Sequence, residues 1–595
     1  MSENVMPPPE KENFCDFDRE FGAFLNRFAK NDFLELAVTG MLLARELRNG
    51  SPRLDLAQYA GKTIVLAEEK SVVLPETAAW LKLLYSPEAG RVAVPEAEDD
   101  GKSLLLVFKD HVLMMRRYAM SEKKLAMQLK CRKKYNDTII KDFAGGGDWV
   151  QDFAVFMALN SRLTILTGGP GTGKTTVCGR IIRELLLRKP ELNILFAAPT
   201  GKAQQRMAAQ ISDSAELLEN GTPAYNAMKA ISGTTIHSYL YNSSWRAQLE
   251  LCDMMIIDEC SMIPLDLFSR ILEMLPEKCA LILAGDRRQL PPVESGTVFS
   301  DLCSNGKANC LPGGIAEVFN SGFAGEAVSK EQDGADDFTG FIVELQTNYR
   351  SKEAPTICRL AELLRDDSAE IKSVVSEIVG AGGDDYRFLE LGDDKIFQSE
   401  LKEKCKILAP LPELCASGKM EDIEKALKLS EEFHFLCAVN HGPRGCNKIN
   451  EFVMKELGIS PYNEFSWKPG TILMITVNDY QADLRNGDVG IVTLEADEDG
   501  EVHKFCRFHS CPEKRYLLGM LPRHECGFAI TVHKAQGSGY KEAVVILPGR
   551  NVEVLDRKLV YTGITRAAKR LELWGTPEEL LFALKNEERS SVNLF

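Results

Sequence analysis

The sequence predicts an α/β protein with parallel sheets covered by helices, and three observations carry that prediction. Short, nearly unbroken apolar runs (Leu163–Leu166, Leu192–Ala198, Met254–Ile257 and Ala280–Ala284) alternate with helix-length segments, as expected of parallel strands buried on both faces. Each run gives way at its C-terminal end to a polar or glycine-rich loop, which is where such sheets bind ligands. At 595 residues the chain is too long for one core, so several domains are expected.

The first run opens the stretch LTILTGGPGTGKTTV, Leu163 to Val177. It continues through Gly168, Gly169, Pro170, Gly171, Thr172 and Gly173 to Lys174, Thr175 and Thr176 at the head of a helix-length segment. Glycines let backbone N–H groups curl around an anion, and a helix N-terminus adds partial positive charge. Strand, loop and helix together mark a phosphate-binding loop for ATP, with Lys174 reaching the β- and γ-phosphates and Thr175 holding Mg²⁺. Asp258-Glu259 ends a second buried strand. Asp258 suits the Mg²⁺ shell, and Glu259 suits orienting and deprotonating an attacking water. Gln289 follows Asp286 at the end of the next strand, in reach of a γ-phosphate. Arg350 and Arg566 are candidates to stabilise charge on the transferred phosphoryl group, although either alone also fits a surface arginine.

Ahead of this nucleotide-binding unit, the polar, Pro-rich residues 1 to about 14 read as a disordered leader, with no secretory signal. Asp16 to about Lys134 reads as a small separate domain. It has a helix over Phe33–Arg48 stopping at Asn49-Gly50, and a hairpin of Leu104–Phe108 with His111–Met115. The basic stretch from Arg116 to Lys134 suits a solvated helix face, or a DNA or partner surface. Gly145-Gly146-Gly147 reads as a hinge. Beyond the first α/β unit, Asn305 to about Gly340 reads as a loop. A second α/β unit is expected from Phe341, with strands at Phe341–Leu345, Phe433–Val439, Phe528–Val532, Ala543–Leu547 and Leu571–Trp574. Thr471–Val477, Val489–Leu494 and Val502–Phe508, with the turn Asn486-Gly487-Asp488, predict a small β-barrel-like insertion.

A net charge of −15 gives no general attraction to nucleic acid, so a polyanion would need a local basic groove. Sixteen cysteines without CxxC pairs, and no apolar run near the length of a membrane span, point to free thiols in a reducing cytoplasm. His503, Cys506, His509 and Cys511 have a metal-like spacing. Strand alternation turns 506 away from the other three, so a zinc site is not expected.

The series GGPGTGKTT, APTGKA, TIHS, DECS, GDRRQLPPV, NYR, VHKAQGS and YTGITRA resembles, in content and order, the motifs of superfamily 1 helicases. Within them the chain resembles the RecD family, the α subunits of exodeoxyribonuclease V (RecBCD), from about Asp32 to its end. GMLLARELRNGSPRLDL and FKDHVLMMRRY resemble the small RecD domain that docks on RecC, and MITVNDYQADLRNGDVGIV resembles the segment leading into an SH3-like insertion.

The resemblance implies two RecA-like P-loop domains. The division becomes a leader at 1–14, a partner-docking domain at 15–140, and motor domains at 141–340 and 341–595, the last with its insertion at about 470–525. It also implies an ATP- and Mg²⁺-dependent 5′→3′ DNA helicase acting on single-stranded and duplex-end DNA in double-strand-break repair. Its partners would be RecB-like and RecC-like subunits in a heterotrimer. No nuclease cluster of carboxylates with a lysine is found in this chain.

Carried over by motif, Gln151 reads adenine, Tyr349 stacks on it and Arg350 touches the γ-phosphate. Gln536 and Gly537 lie by the nucleotide, and Arg566 is a second arginine finger. Thr200, Lys202, His237, Thr531 and His533 contact single-stranded DNA through groups that donate to phosphates, though both histidines also fit packed core positions. Gly539 stands where an acidic residue is usual, which leaves a ribose contact open. Cys260 and Gly563-Ile564 replace the usual Ala and Ala-Leu. The alternatives are a stand-alone RecD-like helicase, for which the length fits less well, an RNA helicase of the same superfamily, and a non-catalytic nucleotide clamp.

Overall fold

The computed structural model describes residues 10–11 and 14–586, apart from 68–69, 147, 323–328, 332–336, 367, 461–465, 480, 498, 551 and 553. The first motor sheet has six parallel strands: β1 (Leu163–Gly168), β2 (Ile194–Ala198), β3 (Gly233–Thr235), β4 (Met254–Ile257), β5 (Ala280–Gly285) and β6 (Ile342–Leu345). Their order is β3-β2-β4-β5-β1-β6. Every residue of β1, β2 and β4 is buried, which is why these strands read as apolar runs without alternation. Because β4, β5 and β1 are neighbours, the loops after them open side by side.

The run at Phe341–Leu345, expected to start the second unit, is β6. It pairs with β1, Ile342 opposite Ile165. The reason is burial: Ile342 and Val343 are covered on both sides by the first core, so the expected boundary at 341 moves beyond Leu345. The loop expected over 305–340 is also corrected. Cys310–Pro312 pairs with Ser329–Glu331, and the helix Gly313–Gly322 places Phe319 against Phe153 and Phe156.

The second sheet uses β7 (Tyr386–Glu390), β8 (Phe433–Cys437), β14 (Ala529–Thr531), β15 (Tyr540–Ile546) and β16 (Ala567–Gly575), all parallel, in the order β7-β16-β15-β8-β14. Alternate residues of β15 enter separate cores: Ala543 and Val545 on one face, Val544 and Ile546 on the other. The sequence hid β7, because this edge strand exposes Arg387 and Glu390 and carries no apolar run.

The insertion between β8 and β14 comprises β9 (Ile472–Ile475), β10 (Val489–Ala496), β11 (Val502–Phe508), β12 (Cys511–Leu517) and β13 (His524–Cys526). It is an antiparallel sheet in the order β12-β11-β10-β9-β13; among the described residues its two outer strands do not pair, so it is an open sheet rather than a closed barrel. Cys506 is sealed in the insertion's own core. His503 faces Asp497 at 2.9 Å, and His509 bonds Ser430 at 3.1 Å, so no zinc tetrad assembles there.

The small N-terminal domain packs around Trp80, whose Nε1 donates to Thr39 at 2.8 Å, and contains the expected helix (Leu34–Arg48) and hairpin. Its limits need correction at both ends. Phe14 is anchored in this core and Glu10–Lys11 pair with Ile64–Val65, so the leader does not run to 14; 1–9 and 12–13 lie outside the described residues.

The basic stretch forms the helix Arg116–Lys130, which docks on the first motor domain. Ser121 donates to Asp266 and Lys124 to Glu273, both at 3.0 Å, while Leu125 and Leu129 enter the motor core. It is therefore not a free face, and the expected boundary at 140 moves back to about Met115. The expected hinge is tied down: the Gly146 N–H donates to Asp152 at 2.8 Å, while Gly147 lies outside the described residues.

Candidate functional site

The loops after β1, β4 and β5 face the second motor domain across a cavity of about 580 Å³. In the first of them, Gly171 and Gly173 adopt φ of +82° and +85°, backbone that favours glycine. A β-carbon at Gly171 would lie 2.6 Å from Asn348 and 2.8 Å from the Arg350 side chain, so the cradle must stay bare. Thr172 braces the turn through its hydroxyl, which donates to the Gly169 carbonyl at 2.8 Å. Pro170 lines the cavity, while a β-carbon at Gly168 would strike the Thr172 hydroxyl at 2.7 Å.

Helix Lys174–Arg188 starts directly after Gly173. The Lys174 ammonium donates to the carbonyls of Gly168 at 2.7 Å and Gly169 at 3.2 Å. Burial holds its pKa below the ordinary lysine range, against the opposing pull of Asp286, Glu259 and Asp258. Thr175 and Thr176 line the cavity beside it.

Asp258 and Glu259 are both buried. Burial and then the Glu259 charge push Asp258 up to about 6. Glu259 sits at φ +52°, uncommon for a residue with a side chain, and this backbone turns its carboxylate into the cleft. Gln289 donates to Asp286 at 3.3 Å. The Glu259 Oε2 and Gln289 Oε1 atoms are buried without a hydrogen-bond partner while both side chains line the cavity. Orphaned acceptors beside a bare glycine cradle and a buried lysine fit a nucleotide triphosphate with its attacking water.

Arg350 and Arg566 line the opposite wall. Burial lowers the pKa of each, and Arg566 is held by the carbonyls of Ser538 at 3.0 Å and Thr562 at 3.1 Å. At the mouth, Tyr349 is half-exposed, and its hydroxyl donates to Asp148 at 2.7 Å. Burial and then that carboxylate raise it to about 12. Gln151 lies beside it, Nε2 donating to the Thr172 carbonyl at 3.4 Å. A polar amide and a flat ring sharing one rim suit a purine.

Gln536 and Gly537 adjoin the cavity without lining it, directly before Ser538 and Gly539, which do line it. The Gln536 amide instead donates across the domain boundary to the Leu290 carbonyl at 2.7 Å, and Gly537 lies against Thr200. Of the residues expected on DNA, Thr200 caps helix Gly201–Ala215, and Thr531 caps the following turn by accepting from the Lys534 N–H. His237 is exposed and His533 half-buried, so neither is a core histidine. Burial lowers the pKa of His533. Lys202 is turned over the Tyr540 ring at 5.5 Å and its pKa is lowered by burial, so it does not stand free on a surface.

The sequence reading missed Arg206, Gln210, Ser538 and Thr565, all of which line the cavity. Arg206 and Gln210 follow Ala203 by three and seven residues, so helical spacing from APTGKA could have found them.

A phosphate loop in one parallel α/β domain, facing two arginines of a second across a nucleotide-sized cleft, defines a tandem-domain nucleotide-binding motor of the P-loop class. Comparisons agree. Residues 151–295 match the family model described as an AAA domain, and 527–573 match the UvrD-like helicase C-terminal domain. The RecBCD enzyme subunit RecD of Mycolicibacterium smegmatis is 30% identical over 585 residues, 94% of this chain and 93% of that one. The RecD subunit of Haemophilus influenzae is 29% identical, covering 72% of this chain and 68% of its own length. The ATP-dependent RecD2 DNA helicase of Deinococcus radiodurans is 25% identical, covering 87% and 62%. The chain belongs to the RecD family.

Proposed function

We propose that this chain is the ATP-driven DNA helicase subunit of a RecBCD-type helicase–nuclease. The observation that carries the reading is that Lys174, Glu259 and Gln289 of one domain and Arg350 and Arg566 of the other line a single cleft. Lys174, the loop N–H groups and Thr176 would hold the triphosphate, and Thr175 with Asp258 would hold Mg²⁺, whose chemistry is to neutralise phosphate charge. Gln151 and Tyr349 would hold the adenine. Glu259 takes the proton of the attacking water, and Gln289 orients that water. Arg350 and Arg566 stabilise charge only while the domains are closed, so closure depends on nucleotide state. Alternate closing and opening would ratchet the chain 5′→3′ along single-stranded DNA, held by Thr200, Lys202, His237, Thr531 and His533.

RecB-like and RecC-like subunits would complete the heterotrimer, the nuclease residing outside this chain. The small N-terminal domain suits docking, because its first helix and the turn after it expose Phe17, Phe24 and Phe28. All sixteen cysteines are free thiols, consistent with a cytoplasmic setting, and among the described residues no helix is long and apolar enough to cross a membrane.

The test is ATP-dependent unwinding of duplexes bearing either a 5′ or a 3′ single-stranded tail, by the chain alone and co-expressed with the proposed partner subunits, with Lys174→Gln as control. Unwinding from the 5′ tail alone, lost in Lys174→Gln, supports the reading. A 3′ preference, or unwinding that survives in Lys174→Gln, overturns it.

A further inference from the structure

We propose that Tyr561 is a positioning residue for Gln289, acting through Asp286. The inference rests on the hydrolysis reading above and extends it to a residue that neither motif chemistry nor the cavity lining singles out.

The geometry is a relay of buried side chains across the domain boundary. The Tyr561 hydroxyl, from the second motor domain, donates to Asp286 Oδ2 at 2.8 Å. Gln289 Nε2 donates to the same oxygen at 3.3 Å. The other carboxylate oxygen accepts from the Arg288 N–H at 3.0 Å, and the Gln289 N–H closes the turn on the Asp286 carbonyl at 3.2 Å. Tyr561, Asp286 and Gln289 are all buried, so water does not offer substitute partners at low cost. Asp286 has few orientations that satisfy both donors, and the one it takes sets where the Gln289 amide points.

The same short loop is gripped by the second domain at its far end. The Leu290 N–H donates to the Thr562 hydroxyl at 2.9 Å, its carbonyl accepts from Gln536 at 2.7 Å, and its side chain packs in the second domain's core. The loop therefore leaves β5 of one domain and is held by the other. Tyr561 also stands over the phosphate loop, its hydroxyl 3.2 Å from where a β-carbon on Gly169 would lie. A shift of the second domain moves the phenol, the phenol moves the carboxylate, and the carboxylate re-aims Gln289. Gln289 is thus set for hydrolysis only in the closed arrangement.

The experiment is steady-state ATP hydrolysis by the full chain, with and without an oligo-dT strand, for wild type, Tyr561→Phe, Gln289→Ala and the double variant. Tyr561→Phe keeps the ring and removes one hydroxyl, and a melting curve checks that the fold is retained. The expected result is a fall in kcat of about tenfold with KM for ATP within about twofold, because the relay acts on the reacting step and not on nucleotide affinity. In the Gln289→Ala background the same substitution should cost less than about twofold, since both act through one group. An unchanged kcat in Tyr561→Phe, a loss confined to KM, or losses that simply multiply in the double variant would each overturn the proposal. Wild-type chain without DNA-stimulated hydrolysis would instead remove the reading beneath it, an outcome told apart by comparison with Lys174→Gln.

Discussion

The Arg206 guanidinium lies 3.6 Å from the Glu259 carboxylate and donates to the Gly537 carbonyl of the opposite motor domain at 3.3 Å. One cation thus touches both the general-base candidate and the facing domain. Glu259 is buried next to Asp258 and sits on left-handed backbone, and the Arg206 cation is the positive charge that fixes where its carboxylate lies. Arg206→Gln keeps a donor but removes the charge. It should lower DNA-stimulated kcat by roughly tenfold, about 1.4 kcal/mol of barrier, and leave the melting temperature within about 1 °C because Arg206 is half-exposed. ATPase assays beside thermal melts decide it. A stable variant with full turnover would show that Arg206 is a bystander.

Where the chemistry is written in short motifs tied to buried strands, the sequence was legible: Gly168 to Thr176, Asp258-Glu259 and Gln289 converge in space because β1, β4 and β5 are neighbours. Sheet membership was not legible at Phe341–Leu345. An apolar run looks the same whether it closes one parallel sheet or opens the next. The role of Arg116–Lys134 was hidden for a different reason. Lysines and arginines on an amphipathic helix read as solvated, yet Arg132 spends its charge on carbonyls of the motor domain. For Gln536 the motif gives the neighbourhood but not the side-chain direction, which the Leu290 carbonyl captures.

Arg132 carries the next prediction. It is fully buried, and its guanidinium donates to the carbonyls of Cys279 at 3.0 Å, Pro276 at 2.8 Å and Gln128 at 2.8 Å. These bonds fasten the helix Arg116–Lys130 to the segment between Glu273 and β5. Truncation strands several buried acceptors, and hydrogen bonds to a charged donor are worth about 1.5–3 kcal/mol each. Arg132→Ala should therefore cost about 3 kcal/mol in denaturant unfolding. Arg132→Lys should recover only part of it, since an ammonium cannot reproduce the planar fork. A cost below about 0.5 kcal/mol for Arg132→Ala would mean that the helix is held by Leu125 and Leu129 with the Ser121–Asp266 and Lys124–Glu273 contacts, without help from Arg132.

His434 predicts how stability responds to acid. Its ring is fully buried, stacked 4.3 Å from Tyr540, with neither nitrogen hydrogen-bonded, and it faces Lys202 and His509. Burial, then the charge of Lys202 and of His509, pushes its pKa down to about 3. An unfolded chain takes up this proton as pH falls through about 6.5, whereas the folded chain resists until about 3, so the stability contributed by His434 is intact above 6.5 and lost progressively below it. At pH 5 the loss is about 2 kcal/mol. His509, also held down to about 3, acts in the same sense, while Asp258, pushed up to about 6, acts in the opposite one. Both are present in wild type and in His434→Phe, which keeps an aromatic ring against Tyr540, so the difference between the two isolates His434. Wild type should lose more melting temperature than His434→Phe between pH 7.5 and pH 5. Superposable pH profiles would mean that the buried ring is already protonated in the folded chain, or that opening of the domain boundary around Lys202 lets water reach it.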